Sequence, residues 1–395
     1  MPHDVEIAVL GAGVVGCAVA RALARRGHDV WVLEAASRPG TGISSRNSGV
    51  IHAGIQDPPS SLRTRACVEG RQRLVAYCRA RGVPHRVCGK FVVAHTRAQV
   101  AALEGVLARA HAAGVTEARP VSPASVVARA PCLRRPLAAL LVPVTGIVDP
   151  HALVSALGAD VERAGGTMVF ACEVAAIEPA GAGFTLRTSR GPVTVRRLVN
   201  AAGLGAAALA RSVAPHAPPV HPCRGDYVRL RRPPPLDLPV YPVRTPGDPG
   251  LGLHLTPDLH GDVRLGPSAY YVDEPAGLGG APDLGPFVSA ARTLLAGEVS
   301  AADLAYVDCG IRPKLRGRGD RAERDFLLLE DPPGALHLLG IESPGLTAAL
   351  ALGRIVADWA RGDDGGDVTR PASGAAGPPA RGAPVRTPRP ARARR

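Results

Sequence analysis

Aromatic side chains are scarce in this 395-residue chain, at 3%, with only two tryptophans. So sparse a set offers few stacking platforms and argues against a single-stranded nucleic-acid binder. Lysine is almost missing: Lys90 and Lys314 are the only two among 47 basic residues. Alongside abundant Ala, Gly and Pro, this looks like a GC-rich coding bias, so arginine richness by itself says little about phosphate reading. The eight cysteines (17, 67, 78, 88, 132, 172, 223 and 309) form no C-x-x-C pair. That argues against a zinc site or other metal centre, and against a disulfide framework. No stretch approaches the roughly eighteen uninterrupted apolar residues of a spanning helix. The apolar start lacks a basic leader and a cleavage site. A reduced, cytoplasmic protein without a transmembrane segment is expected.

The formal net charge of +13 is unevenly placed. Residues 370–395 hold seven arginines and no acid, leaving about +6 on the rest. The segment 363–395, rich in Pro, Gly, Ala and Arg, cannot bury enough apolar surface to order itself and is expected to be disordered. It could make peripheral contact with an anionic membrane surface or nucleic acid. A solvated appendix is the simpler reading, and no nucleic-acid partner is expected.

What the chain does have is concentrated at its start. An apolar strand, Ile7 to Leu10, runs into Gly11-Ala12-Gly13-Val14-Val15-Gly16, and a second strand, Val30 to Leu33, ends at Glu34. This is a dinucleotide-binding fingerprint in its proper setting. Gly11 permits the tight turn, Gly13 allows close approach of a pyrophosphate, and Gly16 lets the helix (Cys17 to Arg26) pack on the sheet. The helix N-terminus presents free N–H groups and a positive dipole end. Glu34 suits the two hydroxyls of an adenosine ribose and would repel a 2′-phosphate. The fingerprint alone leaves the choice of dinucleotide and reaction open.

Further on, the patterning predicts helices over Leu62 to Ala80 and along Val100, Leu103, Leu107 and Ala110, with a strand at Lys90 to Ala94. Asp149-Pro150 reads as an N-cap followed by a first-turn proline, and Gly165-Gly166 as that helix's end. A strand from Thr167 to Val174, a hairpin near Ala180 to Gly183 and a strand Arg197 to Asn200 follow. From His221 to Asp308 the texture changes to short β-like runs between Pro- and Gly-rich turns. Nucleotide-fold texture returns at Ala335 to Gly340, and an amphipathic helix spans about Gly345 to Ala360. The expected organisation is a discontinuous nucleotide domain (1–85, 145–220 and 330–362). A mostly antiparallel substrate domain (86–144 and 221–329) is inserted into it.

The run Gly42-Ile-Ser-Ser-Arg-Asn-Ser-Gly-Val-Ile-His-Ala-Gly-Ile55 resembles the flavin-contacting loop of D-amino-acid-oxidase-type flavoproteins. Within them it is most similar to L-2-hydroxyglutarate oxidases and dehydrogenases. The similarity continues at Cys67–Gly70, Arg81–His85, Cys88-Gly-Lys90, Arg224–Tyr227, Gly250–Thr256, Gly310-Ile-Arg-Pro313 and Gly340–Thr347, in order, over residues 5 to 360. The resemblance implies an α/β fold with a Rossmann-like FAD-binding domain and an inserted antiparallel α+β domain. It also implies FAD as cofactor. Cofactor contacts are then expected from Gly11, Gly13, Gly16, Glu34, Ser45, Asn47, Ser48, His52, Val174, Ala202, Gly203, Gly345, Leu346 and Thr347. The free N–H groups of the last helix would face the flavin pyrimidine oxygen.

For the substrate, Arg312 is the expected carboxylate anchor, its planar fork giving two charge-assisted hydrogen bonds. His254 alone, between leucines, reads as a structural histidine; the resemblance makes it the base that takes a hydroxyl proton. Tyr227 is expected to line the same site, and Arg224 either to line it or to brace the sheet. Some relatives attach flavin covalently to a cysteine near Cys309, although an inert buried thiol is the plainer reading. One departure stands out. Where 2-hydroxyglutarate enzymes continue with two aromatic residues after the loop isoleucine, this chain has Gln56-Asp57. An ionised Asp57 near the entrance would disfavour a second substrate carboxylate.

The expected activity is FAD-dependent oxidation of a small L-2-hydroxy acid, 2-hydroxyglutarate-like, to the 2-oxo acid. The partners are then a small carboxylate substrate and an electron acceptor, oxygen or a quinone. Two alternatives stay open: an amine or amino-acid oxidase of the same fold (glycine, sarcosine or D-amino-acid type), and a non-catalytic flavin-binding scaffold.

Overall fold

The computed structural model describes residues 4–244, 252–273, 280–320 and 324–362. The basic tail 363–395, and Gly250 and Leu251 of the Gly250–Thr256 run, lie outside the described residues.

The first strand, Val5–Leu10, is buried almost throughout and pairs in parallel with Val30–Leu33 on one side and with Gly191–Asn200 on the other (Ala8 faces Trp31 and Leu198). Such continuous apolar strands belong at the centre of a sheet covered on both faces. Thr167–Val169 extends the sheet beyond Val30–Leu33, while the antiparallel strands Gly183–Thr188 and Val174–Ala180 extend it beyond Gly191–Asn200. Ala335–Leu339 joins in parallel at Leu198 to Asn200, bringing the C-terminal segment back to the first. Leu327–Glu330 pairs antiparallel with Ala335–Leu339. This strand therefore belongs to the first sheet, although the boundary expected at residue 330 put most of it in the inserted domain; a hairpin partner is settled by backbone pairing, which composition does not reveal.

The helices Val14–Ala24, Leu62–Arg81, Pro150–Arg163 and Gly345–Ala360 bear Leu23, Leu74, Leu157 and Leu352 of one shared core. The first and last helices lie backbone to backbone: a Cβ on Gly353 would sit 2.6 Å from the Ala18 carbonyl oxygen. Asp149 caps its helix as expected, accepting from the His151 and Ala152 amides, with Pro150 in the first turn. The strand expected over Thr167 to Val174 is instead two. Ala171, at a φ of 49°, turns the chain after Val169, and the antiparallel strand starts afresh at Val174.

A second sheet of nine strands holds Phe91–Ala94, Ala138–Leu141, His221–Leu230, Val240–Pro242, His254–Pro257 and Leu304–Lys314 among others. All its pairings are antiparallel except Phe91–Ala94 with Val240–Pro242. It has its own core around Phe91, Val228, Leu255, Phe287 and Leu304. The two long strands His221–Leu230 and Leu304–Lys314 register Cys223 against Arg312. Between the sheets, Val50–Ile51, Gly146–Val148 and His85–Val87 form a small third sheet. No helix among the described residues is long and apolar enough to cross a membrane.

Candidate active site

A continuous cavity of about 940 Å³ runs from the C-terminal end of the first strand to the face of the second sheet. Crevices at the carboxyl ends of parallel strands are where ligands bind in such folds.

At the nucleotide end, Gly11 adopts a φ of 97° and a Cβ there would meet the Ala201 carbonyl at 2.9 Å. Both Glu34 oxygens are aimed by backbone: Ala12 N–H donates to Oε2 (2.6 Å) and Ala36 N–H to Oε1 (2.9 Å). Each oxygen keeps lone pairs for a ligand hydroxyl. Val174, Ala202 and Gly203 stand on the wall, as do Gly13, Asn47, Ser48 and His52. Asn47 acts first on its own loop, donating to the Ile43 and Ser44 carbonyls and accepting from Gly49 N–H.

Three expected cofactor contacts lie off the wall. Gly16 serves helix packing, since a Cβ there would collide with the Gly11 carbonyl. The Ser45 hydroxyl is tied back to the Gly42 carbonyl, and its neighbour Ser44 points in instead, accepting from Val14 N–H at 2.9 Å. Thr347 is fully buried between elements: Oγ1 accepts from His52 N–H and donates to the Val50 carbonyl. At the head of the last helix Gly345 N–H is taken by the Glu342 carbonyl. The amides of Leu346 and Thr347 follow as first-turn donors with no partner among the described residues. A glycine-lined cradle, a backbone-aimed carboxylate and open helix-head amides fit FAD.

At the other end stands Arg312. Both its Nη atoms donate to the Ser268 carbonyl at 3.2 Å, and no carboxylate among the described residues pairs with it. Ser268 is itself fixed by Asp226, which takes its Oγ–H and its N–H and returns its own N–H to Oγ. Asp226 is fully buried, with Arg224 at 2.7 Å and the Tyr270 hydroxyl at 2.8 Å. Arg224 thus braces this network. Tyr227 is on the cavity wall and accepts from the Ser48 hydroxyl. Cys309 is buried and off the wall.

His254 is 3% exposed and lines the cavity. Its Nδ1–H donates to the Gly252 carbonyl (3.0 Å), which leaves Nε2 as a bare acceptor, buried and without a hydrogen-bond partner. Burial, aided by the positive charges of Lys90 and Arg312, pushes its pKa down to about 3. The ring stacks on Tyr241 at 3.8 Å between centroids. Lys90 Nζ lies 4.5 Å from that same ring, and burial lowers its pKa to about 8. His52 is held neutral by burial as well. Asp57, expected to repel a second carboxylate, faces Arg63 at 3.6 Å. Asp57 lines the cavity, and Arg63 also faces Glu342 at 3.4 Å.

Ser44, Lys90, Tyr241 and Arg244 are cavity residues that the sequence did not single out as site groups. Lys90 had a signal, as one of two lysines in an arginine-rich chain. The others had none beyond their neighbourhood.

A glycine-walled nucleotide cradle, continuous with a chamber that holds a neutral histidine and an arginine with no acid partner among the described residues, is the build of a dinucleotide-dependent oxidoreductase. The chain belongs to the DAO family of FAD-dependent oxidoreductases, whose family model matches residues 6–359, and FAD is its cofactor. Among curated relatives, the mitochondrial L-2-hydroxyglutarate dehydrogenase of Arabidopsis thaliana is 33% identical over 90% of this chain and 83% of its own. The L-2-hydroxyglutarate dehydrogenase of Indibacter alkaliphilus is 27% identical over 90% of this chain and 99% of its own. Of solved structures, the FAD-bound L-alpha-glycerophosphate oxidase of Mycoplasma pneumoniae superposes with a TM-score of 0.81 at 23% identity, covering 90% of this chain and 95% of that one. Glycine oxidase from Geobacillus kaustophilus gives 0.78 at 23%, covering 93% and 97%. These two show the fold.

Proposed function

We propose that this protein oxidises the C2 hydroxyl of a small L-2-hydroxy acid, 2-hydroxyglutarate-like, to the 2-oxo acid. The observation that carries the reading is the His254 Nε2 acceptor, buried, neutral and without a partner among the described residues, on the wall of the chamber that also holds Arg312. Arg312 binds the C1 carboxylate through its guanidinium edge, with the Ser268 carbonyl setting the orientation. His254 accepts the hydroxyl proton at Nε2, while the Gly252 carbonyl holds the other ring nitrogen in the donor tautomer. A bound carboxylate offsets the field of Arg312, one of the charges that depress His254, so the base strengthens as substrate enters. FAD, when bound, would supply the hydride acceptor at its N5, with oxygen or a quinone as the final electron acceptor. The named activity of the curated relatives supports the hydroxy-acid choice over an amine.

The test is anaerobic mixing of the holoenzyme with L- and D-2-hydroxy acids and with amino acids, following the flavin absorbance. Bleaching by L-2-hydroxy acids is the expected result. Bleaching by amino acids alone would replace this reading with the amine-oxidase one, and no bleaching by any of them would favour the scaffold.

A further inference from the structure

The chain uses arginine almost wherever it needs a cation, yet both of its lysines lie on the cavity wall and are buried, Lys90 at 1% and Lys314 at 4% exposure. Lys314 is answered by Glu342 at 2.9 Å. Two arginines of the wall are also answered by acids, Arg63 by Asp57 and Glu342, and Arg46 by Asp308. Lys90 is not: among the described residues it meets no carboxylate, and its Nζ lies over the face of Tyr241. A desolvated ammonium over a ring is a weak arrangement compared with an ion pair, and it is tolerated where an anion completes it. Gly89, at a φ of 78°, leads into Lys90, and the Lys90 backbone pairs with Val142 in both directions, so the side chain is rooted at a rigid strand start.

The position of this cation is informative. Tyr241, under Lys90, is stacked on His254, and His254 feels the charges of both Lys90 and Arg312. Lys90 and Arg312 thus meet no acid among the described residues, and both bear on one neutral base. We infer that Lys90 binds a second carboxylate of the substrate, so that the chamber selects a 2-hydroxy dicarboxylate: Arg312 takes C1, His254 the C2 hydroxyl and Lys90 the distal acid. This rests on the function proposed above, and it assigns the discrimination between diacid and monoacid to one side chain. A compact ammonium suits the task, because its three N–H groups can donate to a carboxylate oxygen from several directions.

The experiment compares the wild-type holoenzyme with Lys90→Met. Steady-state kcat/KM is measured for L-2-hydroxyglutarate and for L-2-hydroxyvalerate, which has the same carbon chain without the distal acid. Binding of glutarate and of valerate, which cannot react at C2, is read from the perturbation of the flavin spectrum. Lys90→Met is expected to lower kcat/KM for the diacid by about 100-fold, as for a lost charge-assisted pair in a buried site, and to weaken glutarate to a similar degree. The monoacid feels only the relief of the Lys90 charge on His254, so its change should be at least about ten-fold smaller than the loss for the diacid. An equal loss for diacid and monoacid, or no loss for either, would overturn the assignment. If the variant does not hold FAD, the wild type still decides: glutarate binding no tighter than valerate ends the proposal. If the wild type oxidises no 2-hydroxy acid, the proposed reaction fails, while the glutarate and valerate binding constants of wild type and variant still report on Lys90.

Discussion

At the scale of single residues, the proposed chemistry depends on groups that their surroundings keep neutral, or that meet no acid partner among the described residues. His254→Ala removes the proposed base and is expected to slow flavin reduction by about two to four orders of magnitude while the protein still binds FAD. Rapid mixing under anaerobic conditions measures it, and reduction within about three-fold of wild type would show that His254 is not the base. The depressed pKa also predicts a pH dependence of stability. Above about pH 6.5, the ordinary histidine value, the ring is neutral in folded and unfolded chains alike, and its contribution to stability is fully present. As pH falls from there towards about 3, the unfolded chain takes up a proton that buried His254 refuses, so stability is lost across that window. His52 acts in the same direction. Melting temperatures between pH 7 and pH 4 should therefore fall less steeply in His254→Ala. Lys90, Tyr241 and His254 come from separate parts of the sequence, and their relation was not legible until burial and contact were known. Asp57 shows the converse: its charge was legible, its Arg63 partner was not.

At the scale of elements, glycines mark where backbones must touch. The first helix was evident from its glycine turn and apolar run, although it begins at Val14, a turn earlier than its composition suggests. Its contact with the last helix was not, because Gly353 gains meaning only from the Ala18 carbonyl 2.6 Å from where its Cβ would be. Gly353→Leu should destabilise the fold by about 1–3 kcal/mol, seen as a lower melting temperature with the catalytic residues unchanged. In the paired strands His221–Leu230 and Leu304–Lys314, Gly225 plays a different part. A Cβ there would press on both Nη atoms of Arg312 at 2.8 Å and on the Ser268 carbonyl at 2.7 Å. Gly225→Ala is expected to displace the guanidinium and raise KM for the carboxylate substrate by about ten-fold or more, with FAD affinity unaltered. Titration of the apo variant with FAD separates the two effects. In the flavin-contacting loop, the single turn of 3-10 helix Ile43–Ser45 sends Ser44 inward and Ser45 outward. Irregular backbone has no period from which to read that choice.

At the scale of the whole molecule, the cavity joins both sheets, so a ligand that fills it links them. FAD binds the folded state and is expected to raise the melting temperature in proportion to the logarithm of its concentration; at a hundred-fold excess over Kd the gain is about 2.7 kcal/mol. Calorimetry of apo and FAD-loaded protein checks this. An FAD-independent melting temperature would mean that FAD does not bind the folded state in preference to the unfolded one.

The amino-acid sequence by itself determined the nucleotide half of this protein. Gly11 to Gly16, the strands either side and Glu34 lie within thirty residues of one another, and their roles follow from local backbone geometry and helix-end electrostatics. The tertiary structure alone decided the state of the chamber. His52, Lys90, Tyr241, His254 and Arg312 arrive from distant segments of the chain. Whether each is charged, paired or bare depends on what is packed around it, because in a buried site desolvation and through-space charge outweigh anything that neighbours in sequence supply.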